Sequence, residues 1–236
     1  MPQKYEVPTI EGIIKMYNEI LKVADTNALQ QKERAYGGMM RTIKGGLQEL
    51  ITEDIIRLAW HNVCGDEKRM DINSKKIHIP IQQSYINSIK DKKVQEYIQQ
   101  NVKDYFYRLS VDKHVYIDSK FVLGIECKAY AENAMIKRIL TDFHFLKIVH
   151  PQISCFLFQL ESQLGGDYSK LPKTVYGSFS THSIMSYFED VELHIFTLLE
   201  GERNIKRPIH KFFKPLEYGN VERVVKLLEC HLKEYV

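Results

Sequence analysis

Residues 114–130, HVYIDSKFVLGIECKAY, decide how the chain is read. The stretch holds two runs of strand-forming composition, His114–Asp118 and Phe121–Lys128, joined by very little chain. Successive side chains of an extended strand point to opposite faces. Strict alternation puts Phe121, Leu123, Ile125 and Cys127 on one face, and Val122, Gly124, Glu126 and Lys128 on the other. A carboxylate and an ammonium thus project together, with a glycine beside them leaving room for a ligand. In a tight hairpin of the two runs, Asp118 would end the first strand and lie across from Glu126.

Two carboxylates and a lysine in one pocket suit phosphodiester hydrolysis. Carboxylate oxygens are the hard ligands that magnesium prefers, and magnesium keeps positions open for water and phosphate. The ion offsets charge developing on the phosphate and makes its water more acidic. A lysine beside it can orient the attacking water or neutralise the transition state. A same-face Glu-x-Lys pair on an exposed strand would be only a solvated ion pair, worth under ~1 kcal/mol. The apolar residues flanking Glu126 and Lys128 argue instead for a central strand, followed by a helical stretch and a doubly apolar run.

The segment resembles the core of the PD-(D/E)xK nucleases. ECK on a strand, a following helix with Lys137 and Arg138, and the strand end QLES make it similar to type II restriction endonucleases. The resemblance implies an α/β fold with a restriction-endonuclease-like mixed central sheet flanked by helices. It implies Mg2+-dependent cleavage of double-stranded DNA at a specific sequence, leaving 5′-phosphate ends. A homodimer is common in the family, and a cognate DNA methyltransferase acts on the same site. Carried over by position, Asp118 and Glu126 ligate the metal and Lys128 serves the water. Ile117 stands where the name-giving proline would be, a residue without a chemical role. Members often add a glutamate from the helix before the hairpin. Glu49 and Glu53 are the candidates, and Glu49, nearer the helix start, is preferred as the third metal ligand. Gln159 is placed to reach the site from a strand end.

The remaining sequence supplies the elements around this core. Ile13 to Val23 recurs at helical spacing after Pro8-Thr9, and a second helix is predicted over about 38–62. This amino-terminal helical region, about residues 1–62, carries enough apolar surface to supply a dimer contact. Residues 64–76 read as a polar loop, 77–81 as a short strand and 92–106 as a helix. Met135, Ile136, Ile139, Leu140, Phe143 and Leu146 mark a helix over 132–148. Ser154–Leu160 is apolar on both faces, as in a strand covered on both sides. Leu193–Leu199 reads as a further strand and Val221–Tyr235 as an amphipathic helix. No composition shift divides the 236 residues, which are read as one nuclease domain.

Candidate DNA contacts are the cluster Arg203, Lys206, Arg207, His210 and Lys211, with Arg41 and Lys44 beside Gly45-Gly46, and Asn133 and Lys137 after the motif. The net charge is only +3, so no polybasic tail contributes. Four scattered cysteines without a CxxC pair argue against a zinc site. A signal peptide and a membrane-length apolar run are both lacking, which predicts a cytoplasmic protein. Three rival readings are a repair or recombination nuclease of the same superfamily, a catalytically inactive DNA-binding protein, and a cysteine hydrolase built on Cys127. The intact acidic and basic set argues against decay, and Cys127 points to the core face of its strand.

Overall fold

A computed structural model describes residues 7–28, 33–204 and 213–236, with the side chains of 22–42 and of residue 44 left out of the description. Two helices open the chain, α1 (Ile10–Ala28) and α2 (Glu33–Val63). Strand β1 (Met70–Asn73) follows. Then comes a small unit of β2 (Ile77–Pro80), α3 (Gln83–Ser88), α4 (Lys92–Gln100) and β3 (Phe106–Leu109). The central hairpin is β4 (Lys113–Ile117) and β5 (Lys120–Ala131). It is followed by α5 (Asn133–Val149), β6 (Ser154–Ser162), α6 (Phe179–Met185), β7 (Leu193–Thr197) and α7 (Tyr218–Leu232).

The main sheet has five strands in the order β1-β4-β5-β6-β7, while β2 and β3 pair separately. β1, β4 and β5 run antiparallel to their neighbours, and β5, β6 and β7 are parallel. The sheet is therefore mixed, with helices on both faces. Phe156, Phe158 and Leu160 of β6 pack into one core with α1, α2 and α7. Cys155 and Leu157 face the other way, into a core built on Ile136, Ile139, Leu140 and Phe143 of α5. That two-sided burial explains why SCFLFQL shows no apolar-polar alternation.

The apolar stripe of α1 is spent within the chain. Ile13, Tyr17 and Leu21 are fully buried in the α2 and α7 layer, and Ile14, Met16 and Ile20 are partly buried against it. The stripe that the sequence offered as a dimer contact is thus a core face.

Three local departures matter for the site. A β-bulge interrupts the hairpin: Val115 pairs with Leu123 but Tyr116 pairs with Phe121, leaving Val122 as the extra residue. Strict alternation fails there, so Val122 joins the α2 and α7 core while Phe121 packs beside the α5 core. Asp118 and Ser119 form the hairpin loop between paired Ile117 and Lys120, with φ of 48° and 67°. Two consecutive positive φ values are the signature of a two-residue type I′ turn. Finally, the stretch read as loop over 64–76 contains β1, and the helix read over 92–106 stops at Gln100 before β3 begins. An edge strand as short as β1 needs only a little apolar surface, here Met70 and Ile72, to join the sheet.

Candidate active site

The hairpin register determines which acid meets Glu126. Lys113 pairs with Ile125, so the residue just before β4 comes opposite Glu126. That residue is Asp112. Its Oδ2 accepts the Cys127 backbone N–H at 2.7 Å and Lys128 Nζ at 3.2 Å. Lys128 Nζ also bonds the Glu126 carboxylate and the Cys127 carbonyl oxygen, the latter at 3.1 Å. Asp112, Glu126 and Lys128 thus form one cluster on the α5 side of the sheet.

Asp118 is not part of it. The residue lies at the opposite end of β4, about 20 Å away at six residues of strand rise. Its carboxylate is exposed and pairs with the Arg69 guanidinium at 2.7 Å, while its N–H donates to the Arg69 carbonyl at 2.8 Å. The guanidinium holds the Asp118 carboxyl below the usual carboxylate range. The expected Asp118–Glu126 juxtaposition is therefore corrected, because Asp118 is the turn residue that the type I′ loop demands. Asp112 was legible only through register. It stands just before Lys113 in SVDK, and the bulge adds one residue to the count between it and Glu126. The usable signal was IDSK between two β runs, which is turn chemistry rather than ligand chemistry.

Charge in the cluster is unevenly held. Burial, and next the negative charge of Asp112, push the Glu126 carboxyl up to about 7 against the opposing pull of Lys128. Burial works against the Lys128 ammonium, yet Glu126 and Asp112 together keep its pKa above the ordinary value. Asp142, on α5, adds further negative charge near Glu126, and its own carboxyl is raised by burial. Carboxylates that repel each other at the edge of a buried sheet are what a divalent cation relieves, and their oxygens are its preferred donors. Among the described residues no group of three or more His, Cys, Asp or Glu side chains is placed to hold a metal ion. A two-carboxylate set leaves positions for water and phosphate, as magnesium requires.

The α2 side of the site separates the two glutamate candidates. Glu53 is tied to Arg57 at 2.9 Å and to Lys113 at 3.0 Å, so it braces α2 against the start of β4. Glu49 lies one turn earlier, partly buried, and its charge is felt at the Cys127 thiol. Burial, with smaller contributions from Asp112 and Glu49, drives that thiol well above its ordinary pKa. A buried, protonated Cys127 is a poor nucleophile. Gln159 is in register with Lys128 and fully buried, donating Nε2 to Thr197 Oγ1 at 2.9 Å. Its Oε1 is buried without a hydrogen-bond partner among the described residues.

The predicted DNA contacts are distributed as follows. Lys137 is exposed on α5, and Asn133 opens that helix with Oδ1 2.7 Å from the Thr181 hydroxyl. Arg203 lies 3.4 Å over the Tyr130 ring and donates to Gln163 Oε1 at 2.8 Å. Arg41 and Lys44 lie on α2, their side chains outside the description, and Lys206, Arg207, His210 and Lys211 lie outside the described residues. Lys214, past that segment, pairs with buried Glu161 at 2.7 Å. No helix is long and apolar enough to cross a membrane among the described residues.

No family model matches the chain. Its sequence is 54% identical over 231 residues to the type II restriction enzyme DdeI of Desulfomicrobium norvegicum, an alignment covering 95% of this chain and 96% of that protein.

Proposed function

The chain belongs to the type II restriction endonucleases, and from that premise we propose that Asp112, Glu126 and Lys128 are its catalytic centre. The protein is a site-specific deoxyribonuclease, a hydrolase of double-stranded DNA that works with a divalent metal. The finer reading is that the metal is Mg2+ and that the product carries 5′-phosphate ends. One nuclease domain, working in the cytoplasm, carries the activity. The observation behind the centre is the convergence of the Asp112 and Glu126 carboxylates on Lys128 Nζ.

Asp112 and Glu126 would hold the ion, and Glu49 on α2 is the further carboxylate proposed as a third ligand. Bound there, the ion supplies charge neutralisation at the scissile phosphate and acidity to water. Lys128, held between the two carboxylates, is placed to donate to the attacking water or to a phosphate oxygen as negative charge accumulates. Its raised pKa keeps it cationic at neutral pH, so it orients and stabilises rather than taking the proton. Glu126 would serve the ion as a carboxylate, and the charge that burial and Asp112 oppose is the charge the ion would offset.

Two antiparallel strands must be cut, and a two-fold homodimer on a palindromic target would give each strand one centre. A cognate methyltransferase would protect the same site. The test is to incubate the protein with plasmid DNA and magnesium, sequence the ends, and weigh the active complex by light scattering. Discrete 5′-phosphate ends at one sequence and two subunits per duplex are expected. Scattered ends would overturn the site-specific reading, and one subunit per duplex would overturn the dimer.

A further inference from the structure

Between β6 and α6 the chain folds back on itself. A Cβ at Gly165, where φ is +84°, would fall 2.5 Å from the Ser178 nitrogen, and one at Gly177, φ +70°, would fall 2.7 Å from the Tyr168 hydroxyl. Only glycine allows both the turn and the contact. The closure is hydrogen-bonded as well. The Ser178 N–H donates to the Leu164 carbonyl at 2.7 Å, and Ser178 Oγ caps α6 by accepting the Thr181 N–H at 3.1 Å. The buried Thr181 hydroxyl lies 2.7 Å from Asn133 Oδ1, which ties the loop to the first turn of α5.

From this fastened loop project Tyr176, 85% exposed, and Phe179, 96% exposed. Two aromatic side chains three residues apart, both left in water where the braced loop enters α6, are a candidate contact surface. Tyr187 is equally bare, but it lies beyond α6 next to Glu189 and Asp190. The loop leaves β6 at the end it shares with β5, where the Gln163 N–H donates to the Ala131 carbonyl at 2.9 Å. Lys128 is three residues back along β5, so the loop begins ~10 Å from it, and the hydrogen bond from the Ser178 N–H to the Leu164 carbonyl returns the chain to that end. Duplex DNA advances about 3.4 Å per base pair, which makes ~10 Å about three steps. The cations along the way are Arg203 on Tyr130, Lys170, paired with Asp167 at 3.4 Å, and exposed Lys173.

We infer that Tyr176 and Phe179 are an aromatic wedge that stacks on the base pairs of the bound duplex a few steps from the cut. The inference rests on the centre at Asp112, Glu126 and Lys128, which fixes the end of the sheet along which DNA passes. Phosphate contacts hold the backbone, while a ring pushed against a base step opens it and couples binding to how readily that step unstacks. The loop is fixed before DNA arrives, so little ordering opposes the contact.

The test uses the full chain in calcium and a duplex of its mapped cleavage site, with 2-aminopurine placed at successive positions. The double variant Tyr176→Ala/Phe179→Ala should bind between roughly five-fold and a hundred-fold more weakly, the range for loss of base stacking. It should also lose the fluorescence rise that the wild type gives at one step. Its melting temperature should match the wild type, because both side chains are exposed. Phe179→Trp should restore the signal. Unchanged affinity and fluorescence would overturn the wedge. So would a fall in oligomer mass on light scattering, which would make the rings a subunit contact. Asp112→Asn, assayed alongside, should give the same fluorescence rise in calcium and fail to cut when magnesium replaces it. If it cuts, the centre is wrong, while the binding result still decides the wedge.

Discussion

Replacing Glu126 by glutamine should make the metal-free protein more stable while destroying its activity. In the fold, burial and the Asp112 charge hold the Glu126 carboxyl up to about 7, against an ordinary 4.5. Its proton is thus bound more tightly in the folded chain than in the unfolded one. The resulting contribution to stability is fully present below about pH 4.5 and is lost as pH rises through about 7. At pH 8 the charged form costs the fold about 3 kcal/mol, at 1.36 kcal/mol for each tenfold in proton affinity. By pH 5 the cost falls below about 1 kcal/mol. Glutamine mimics the neutral acid at every pH, and Asp112 still holds Lys128 in the variant. For a chain of this length 1 kcal/mol moves the melting temperature by roughly 2–4 °C. Melting curves in a chelator should therefore place Glu126→Gln about 6–12 °C above wild type at pH 8, with the gap mostly closed at pH 5. Magnesium should raise the wild-type midpoint at pH 8 and leave the variant's unmoved. A variant that melts at or below wild type at pH 8 would refute this electrostatic picture of the cluster.

Lys128→Ala should cut at least ~10²-fold more slowly under single-turnover conditions, with affinity for duplex in calcium much less affected. A variant with normal single-turnover rate and weak binding would make Lys128 a phosphate contact. Gly124→Ala puts a methyl carbon 3.0 Å from the Phe143 ring on α5, beside the site. Overpacking of that kind costs ~1–3 kcal/mol, which a denaturant titration would read directly, and an unchanged midpoint would mean that Phe143 swings aside freely. Glu53→Gln, which loosens the brace from α2 to Lys113, should lower the cleavage rate less than Glu126→Gln does. Equal losses would give Glu53 a direct role.

The helices α2, α5 and α7 and the strand β5 were legible because each buries a face long enough for its period to appear, and β6 was legible as an unbroken apolar run covered on both sides. The same-face placement of Glu126 and Lys128 was legible from alternation, which holds from Leu123 onward. It fails at Phe121 and Val122, where the extra residue of the bulge swaps faces. Sequence carries no mark of a bulge, because the residue it adds is decided by the partner strand. The same dependence hid Asp112, whose place opposite Glu126 exists only once the register is set. Asp118 drew attention as the acid that ends the preceding strand-like run, although a two-residue loop between paired strands favours aspartate for its tolerance of positive φ. β1, α3 and α6 are too short for periodicity to declare them, and α6 is fixed by its Ser178 cap and the Thr181 contact instead.

The central claim is that the acid opposite Glu126 is Asp112, and one comparison reaches it directly. Asp112→Asn and Asp118→Asn are purified beside the wild type, checked for matching circular dichroism, and given plasmid DNA with magnesium. The account predicts that Asp112→Asn loses cleavage by ~10³-fold or more, while Asp118→Asn, which alters only an exposed turn and its Arg69 pair, cuts within a few-fold of wild type. Loss of cleavage in folded Asp118→Asn together with robust cutting by Asp112→Asn would contradict it.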